Sequence, residues 1–218
     1  MDAPLVLVPV NRLDRAKGRL AELLAPEERV AIAEATLRTV VDAVRTAGWP
    51  LVILTADKRA HDVAGRDAEH LDEDPALRGL NAQIEAALRT VEAPPGGVLI
   101  LHADLPLASA KALMALSEAA APPPSVTMVR SGDGGTNAML LRPHLGFRLA
   151  YGVDSFERHR EAATTAGMEV RVVESEELSL DLDTPADLLA LVSRPGGRDT
   201  RAGRLLSSWK ITERMAAR

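Results

Sequence analysis

Asp104 ends an apolar run, Val98-Leu99-Ile100-Leu101-His102-Ala103, and Pro106 breaks the chain two residues later. A buried strand that stops on a carboxylate delivers a hard oxygen donor to the carboxyl edge of a sheet, where open α/β proteins bind ligands. A second acidic cluster, Asp181-Leu182-Asp183, stands before Thr184-Pro185. Asp104 and Asp183, with Asp181 as a substitute ligand, are candidates to share one or two Mg2+ ions. That ion takes a few carboxylates and fills its shell with water and substrate phosphates. The chemistry served would be phosphate transfer, in which the ion neutralises charge and orients attack. The other reading of Asp183 is a helix cap, since Asp or Thr before Pro185 is a standard helix start.

Arg12, Arg15, Lys17 and Arg19 crowd the stretch after the first apolar run, Leu5-Val6-Leu7-Val8. α/β folds bind phosphates there, and a lysine at an α-phosphate would stabilise charge as the bond to pyrophosphate breaks. A solvated basic turn is the alternative. Neither a Walker loop nor G-x-G-x-x-G is present, so those nucleotide-binding classes do not fit. Gly134-Gly135-Thr136-Asn137 and Tyr151-Gly152-Val153-Asp154-Ser155-Phe156 read as two loops that present N–H and hydroxyl donors to an anion, or else as ordinary glycine turns and caps. His159 follows Ser155 by four residues, on the same helical face, and is a candidate contact to an acceptor anion. Without cysteine, the chain has no thiolate nucleophile, disulfide or Cys-ligated zinc.

These side chains need a scaffold, and the pattern supplies alternating strands and helices. Leu5–Val8, Leu51–Thr55, Val98–Leu101, Val126–Val129, Ala138–Leu141 and Val170–Val173 are short apolar runs suited to buried strands, with a further short strand expected near His70-Leu71. Pro26-Glu27-Glu28 opens an amphipathic helix carrying Val30, Ala33, Leu37, Val40, Val41 and Val44, which Gly48 stops. Further helices are expected near Arg59 to Gly65, from Gly79-Leu80-Asn81, from Ser109 to Ala119, from Asp154 to Ala166 and from Pro185. The order predicts an α/β fold, three layers around a mostly parallel sheet. At 218 residues and 46% hydrophobic composition, one domain over residues 1–193 is expected.

The net charge of −5 is uneven. Residues 194–218 hold six Arg and one Lys against Asp199 and Glu213, hence +5, which leaves −10 for the rest. With one aromatic residue, Trp209, and no readout motif, this basic carboxyl-terminal tail is not expected to bind nucleic acid. It is expected to pack loosely or against a second copy of the chain, as in a homodimer. No apolar stretch approaches the roughly 20 residues needed to span a bilayer, so no membrane partner and a cytoplasmic location are expected.

Taken in order, the segment from Pro9 through Leu20, Gly79-Leu80-Asn81, Ala103 through Leu107, Gly135 through Ala138, Gly152 through His159, and Asp181 through Pro185 resemble the phospholactate guanylyltransferase family. The resemblance covers about residues 5 to 192. It implies a Rossmann-like nucleotidyltransferase fold of the nucleotide-diphospho-sugar transferase type, Mg2+, and GTP as substrate. The implied acceptor is 2-phospho-L-lactate, phosphoenolpyruvate or 3-phosphoglycerate, on the way to coenzyme F-420. Lys17 then matches the family's signature lysine, with Arg12 beside it; Gly79 and Asn81 match the segment near the guanine nucleotide. Asp104 and Asp183 match the metal aspartates, and Thr136, Gly152 and Ser155 match contacts to the acceptor's phosphate or carboxylate. Asn11 stands where the family has Lys, and Tyr151 where it has Phe. A transferase acting on another small acceptor, such as the molybdopterin cofactor, and a non-catalytic nucleotide-binding protein are the competing readings.

Overall fold

The computed structural model describes residues 2–146 and 148–217, so Arg218 of the basic tail lies outside the described residues. Seven strands form one sheet: β1 (Leu5–Pro9), β2 (Leu51–Leu54), β3 (Glu69–Leu71), β4 (Val98–Leu101), β5 (Ser125–Arg130), β6 (Thr136–Arg142) and β7 (Glu169–Val172). Their spatial order is β3-β2-β1-β4-β6-β5-β7. β1 pairs in parallel with β2 and β4, β2 with β3, and β5 with β7, while β6 runs antiparallel to both neighbours. The expected mostly parallel α/β sheet is observed.

Alternate side chains on the central strands feed two cores, which is why those strands read as unbroken apolar runs. Val6, Val8, Leu99 and Leu101 meet Leu37, Val40 and Val44 of α1 (Pro26–Thr46) and Leu113 and Leu116 of α4 (Ala110–Glu118). Leu5, Leu7, Val98 and Ile100 face the other way, onto Ile84 and Leu88 of α3 (Leu80–Thr90) and Phe156 and Ala163 of α5 (Ser155–Thr165). The short α2 (Lys58–Ala64) starts on Asp57, whose carboxylate accepts from the Arg59 N–H at 3.0 Å. That carboxylate also accepts from the Leu13 N–H at 2.8 Å, tying the basic loop to the start of α2.

The chain builds outward from β1 to β2 and β3, then returns to place β4 on the opposite side of β1. Such a reversal opens a crevice at the carboxyl ends of the two strands that flank it. The segment carrying Lys17 leaves β1 and the segment carrying Asp104 leaves β4, so the topology delivers both to the same crevice.

Two local expectations change. Thr136 and Asn137 are the first residues of β6 rather than loop, because the β5–β6 turn spans only Ser131 to Gly135. The tail is not loose: after α6 (Glu176–Ser179) and α7 (Pro185–Ser193), α8 (Arg201–Ser208) and α9 (Ile211–Ala216) fold back onto α1. Ala202, Leu206 and Ile211 are buried with Ile32 and Ala35 of α1 and Leu188 and Leu191 of α7. Its arginines are partly spent on acids of α1, Arg201 on Asp42 and Arg214 on Glu28.

Candidate active site

Lys17 adopts a left-handed backbone, with φ 59° and ψ 38°. A non-glycine residue held there carries strain that the surroundings must outweigh, a condition concentrated at functional sites. Its ammonium donates to Asp104 Oδ2 at 2.7 Å and Asp183 Oδ1 at 2.9 Å. The lysine side chain is 5% exposed, against 24% for Asp104 and 40% for Asp183. Burial by itself would lower the Lys17 pKa, but the facing carboxylates outweigh it and hold it above the ordinary lysine value. Burial likewise opposes charge on Asp104, and Lys17 more than offsets it, keeping that carboxyl below its usual range.

Asp183 is free for this contact because its neighbour caps the helix. Thr184 accepts from the Asp187 N–H at 3.4 Å, and Asp187 answers through the Asp183 and Thr184 N–H groups at 3.1 and 2.7 Å. This reciprocal pairing resolves the choice left open at Pro185 in favour of Thr184 as cap. The Leu182 N–H bonds the Asp104 carbonyl at 3.3 Å, which stitches the two acidic segments together directly.

Asp104, Asp181 and Asp183 present ligand oxygens that all lie within 4.8 Å of one another. Asp104 Oδ1 is buried without a hydrogen-bond partner among the described residues. Asp181 is pushed up to about 7, first by burial and then by the charge of Asp104. Three converging carboxylates, one with an unspent oxygen, form a hard-donor set that fits a small divalent cation.

The cleft around this cluster has a volume of ≈ 570 Å3, within the range of small-molecule sites. Lys17 and Arg19 are its cations, while Glu73, Asp104, Asp133, Asp154, Asp181 and Asp183 contribute six carboxyl groups. Such a wall repels a polyphosphate unless cations enter with it.

Not every candidate residue reaches the cleft wall. Arg12 pairs with Asp14 through two bonds of 3.1 and 2.9 Å, outside the lining. Gly79 caps α3 with φ 83°, a conformation that suits glycine, and Leu80 rather than Gly79 or Asn81 faces the cleft. The Asn81 amide is fully occupied by one backbone unit, accepting from the Tyr151 N–H at 2.7 Å and donating to the Tyr151 carbonyl at 3.0 Å. Asn81 therefore positions the loop that carries Gly152 and Ser155.

Thr136, Gly152 and Ser155 do line the cleft, and His159 lies behind them, fully buried. The Ala150 N–H can only donate, so His159 Nε2 at 2.8 Å is the acceptor. The neutral ring then carries its proton on Nδ1 and donates to Thr136 Oγ1 at 3.0 Å. Ser155 Oγ also donates to Thr136 Oγ1 at 3.3 Å, which leaves the threonine proton free to donate to a ligand. His159 thus touches Thr136 and is not itself part of the cleft lining.

Burial, aided by the charge of Arg158, pulls the His159 pKa from 6.5 down to about 4. The unfolded chain protonates this ring near 6.5 and the folded one only near 4, so unfolding takes up a proton between those values. Its contribution to stability is complete above about pH 6.5 and is lost as pH falls toward 4, by about 3 kcal/mol. Denaturant unfolding at pH 7 and pH 4.5 will show the wild type losing this increment relative to His159→Gln, which lacks the titrating ring. Equal losses in both proteins would refute it.

Asn137 escaped the sequence reading as a structural link. Its Nδ2 donates to the Leu178 and Ser179 carbonyls, each at 3.1 Å, and to Asp181 Oδ1 at 3.3 Å, holding the acidic segment against β6. Its place beside Thr136 was the only available signal.

The mostly parallel sheet and its flanking helices place the chain in the nucleotide-diphospho-sugar transferase class of fold. A structure described as a nucleotide-diphospho-sugar transferase, from Desulfovibrio desulfuricans G20, superposes with a TM-score of 0.77 at 14% identity, covering 96% of this chain and 97% of that one. The family model "Guanylyl transferase CofC like" matches residues 4–216, and the chain belongs to that family. A phosphoenolpyruvate guanylyltransferase of Conexibacter woesei is 41% identical over 210 residues, covering 91% of this chain and 93% of the relative. A 2-phospho-L-lactate guanylyltransferase of Halorubrum lacusprofundi is 36% identical over 204 residues, with 92% and 90% covered.

Proposed function

We propose that this protein transfers GMP from GTP to the phosphate of a small phosphorylated carboxylic acid, releasing pyrophosphate. The acceptor class is that of 2-phospho-L-lactate, phosphoenolpyruvate and 3-phosphoglycerate, whose guanylylated product the resemblance assigns to coenzyme F-420 assembly. The observation that carries the reading is the Lys17 ammonium lodged between Asp104 and Asp183 in a cleft lined by six carboxyl groups.

The ammonium occupies the ground between the carboxylates that a divalent ion would take. Asp104 and Asp183, with Asp181, would hold magnesium, which would supply charge neutralisation at the nucleotide's phosphates. Lys17 would pair with the α-phosphate and stabilise charge there as the bond to pyrophosphate breaks. The Thr136 hydroxyl, with Ser155 and the backbone at Gly152, orients the acceptor's anionic groups. The attacking phosphate is already ionised at neutral pH, so no side chain has to remove a proton.

Mixing the protein with Mg2+, GTP and each acceptor in turn will release pyrophosphate with at least one, and chelating the metal will stop it. If no acceptor supports release while the protein remains folded, the reading fails. CTP in place of GTP separates it from a cytidylyl-transferring enzyme of the same fold.

A further inference from the structure

Tyr151 is held more tightly than a loop residue needs to be. Asn81 pins both its backbone groups, and its ring lies edge-on to His159 at 4.7 Å and tilted against His102 at 5.3 Å. Both Tyr151 and His102 line the cleft, between the acidic cluster and the loop of Gly152 and Ser155. Tyr151 is 8% exposed, yet its hydroxyl has no hydrogen-bond partner among the described residues, and neither has His102 Nε2.

Two unpartnered polar atoms on neighbouring rings are costly, because a buried donor or acceptor loses water without replacing it. Burial also keeps the phenol protonated, so the Tyr151 hydroxyl remains a hydrogen-bond donor. Resting on the guanylyltransferase reading, we propose that the Tyr151 hydroxyl and His102 Nε2 together bind an oxygen at the carboxyl end of the acceptor acid, making Tyr151 a determinant of acceptor recognition.

The phenol belongs to the same loop as the acceptor contacts proposed at Gly152 and Ser155, whereas Lys17 is the group assigned to the α-phosphate. A phenylalanine in this position would fill the same space and leave the acceptor oxygen without its donor. A site built around such a hydrogen bond discriminates strongly between ligands that complete it and ligands that do not.

Tyr151→Phe gives a pair of effects that a merely structural hydroxyl would not produce. Deleting an unpartnered buried hydroxyl leaves the melting temperature of the free protein unchanged or raises it. The KM for the acceptor rises about 10- to 100-fold, while the KM for GTP stays within about twofold. Measuring both constants for all three acceptors, together with direct calorimetric binding of each acceptor to the Mg2+-loaded protein, reads the interaction with or without turnover. A rise confined to 3-phosphoglycerate assigns the contact to its hydroxyl, and an equal rise for all three assigns it to the carboxylate; either supports the proposal. Unchanged acceptor affinity, or an equal loss for GTP, overturns it. Wild-type binding and turnover failing for every acceptor would instead sink the guanylyltransferase reading itself.

Discussion

Lys17→Met is expected to cut turnover about 10³-fold while tightening divalent-ion binding, two effects of opposite sign from one substitution. The ammonium 2.7 and 2.9 Å from Asp104 and Asp183 competes with any cation for the same oxygens. Removing it vacates the carboxylates for a metal, but on the proposed mechanism it also removes the positive charge at the α-phosphate. Metal-free protein should lose stability as well, by roughly 3 kcal/mol, because Asp104 is left buried beside uncompensated like charges. Asp183, 40% exposed, regains water and limits that loss. Calorimetric titration with Mg2+ or Mn2+, set beside steady-state turnover at saturating GTP, tests both halves. Weaker metal binding in the variant would show that the lysine supports the cation rather than excluding it.

Asp104→Asn will lower turnover by at least about 10³-fold, and here metal affinity falls with it. Asp104 offers the one carboxylate oxygen of the cluster that is buried without a partner, and an amide cannot replace its charge. The wild-type melting temperature should climb as Mg2+ is added, since a ligand that binds only the folded state stabilises it by mass action. The Asp104→Asn protein should show almost no climb, although Lys17 still has Asp183 to hold it in place. A variant that melts and responds to Mg2+ like the wild type, yet remains inactive, would move the ion elsewhere in the cleft.

Both substitutions probe a constellation whose members could be named from the chain but not assembled from it. Asp104 and Lys17 were visible because strand ends in parallel α/β sheets recur at one edge, and apolar runs locate those ends. The choice between cap and ligand at Asp183 was not visible, because Asp183 and Thr184 both suit the position before Pro185. It was decided by the reciprocal bonds between Thr184 and Asp187, geometry that no spacing rule encodes. The partners of Asn81 and His159 were hidden for a related reason. Each is a polar residue of a helix whose partner lies far along the chain, and a side chain buried behind a wall reads in sequence like one that faces the cleft.

Local sequence determined what depends on near neighbours: where strands and helices form, through apolar periodicity and caps, and which charges are available at their ends. Strand order decided the rest. Placing β4 against β1 brings residues 87 positions apart into hydrogen-bond contact, and a further link of 166 positions closes the acidic cluster around Lys17. The expectation of a loosely packed tail gave way for the same reason. The apolar faces of α8 and α9 find α1 and α7 only after the sheet has set those helices side by side, because burial is a property of the assembled chain rather than of any segment.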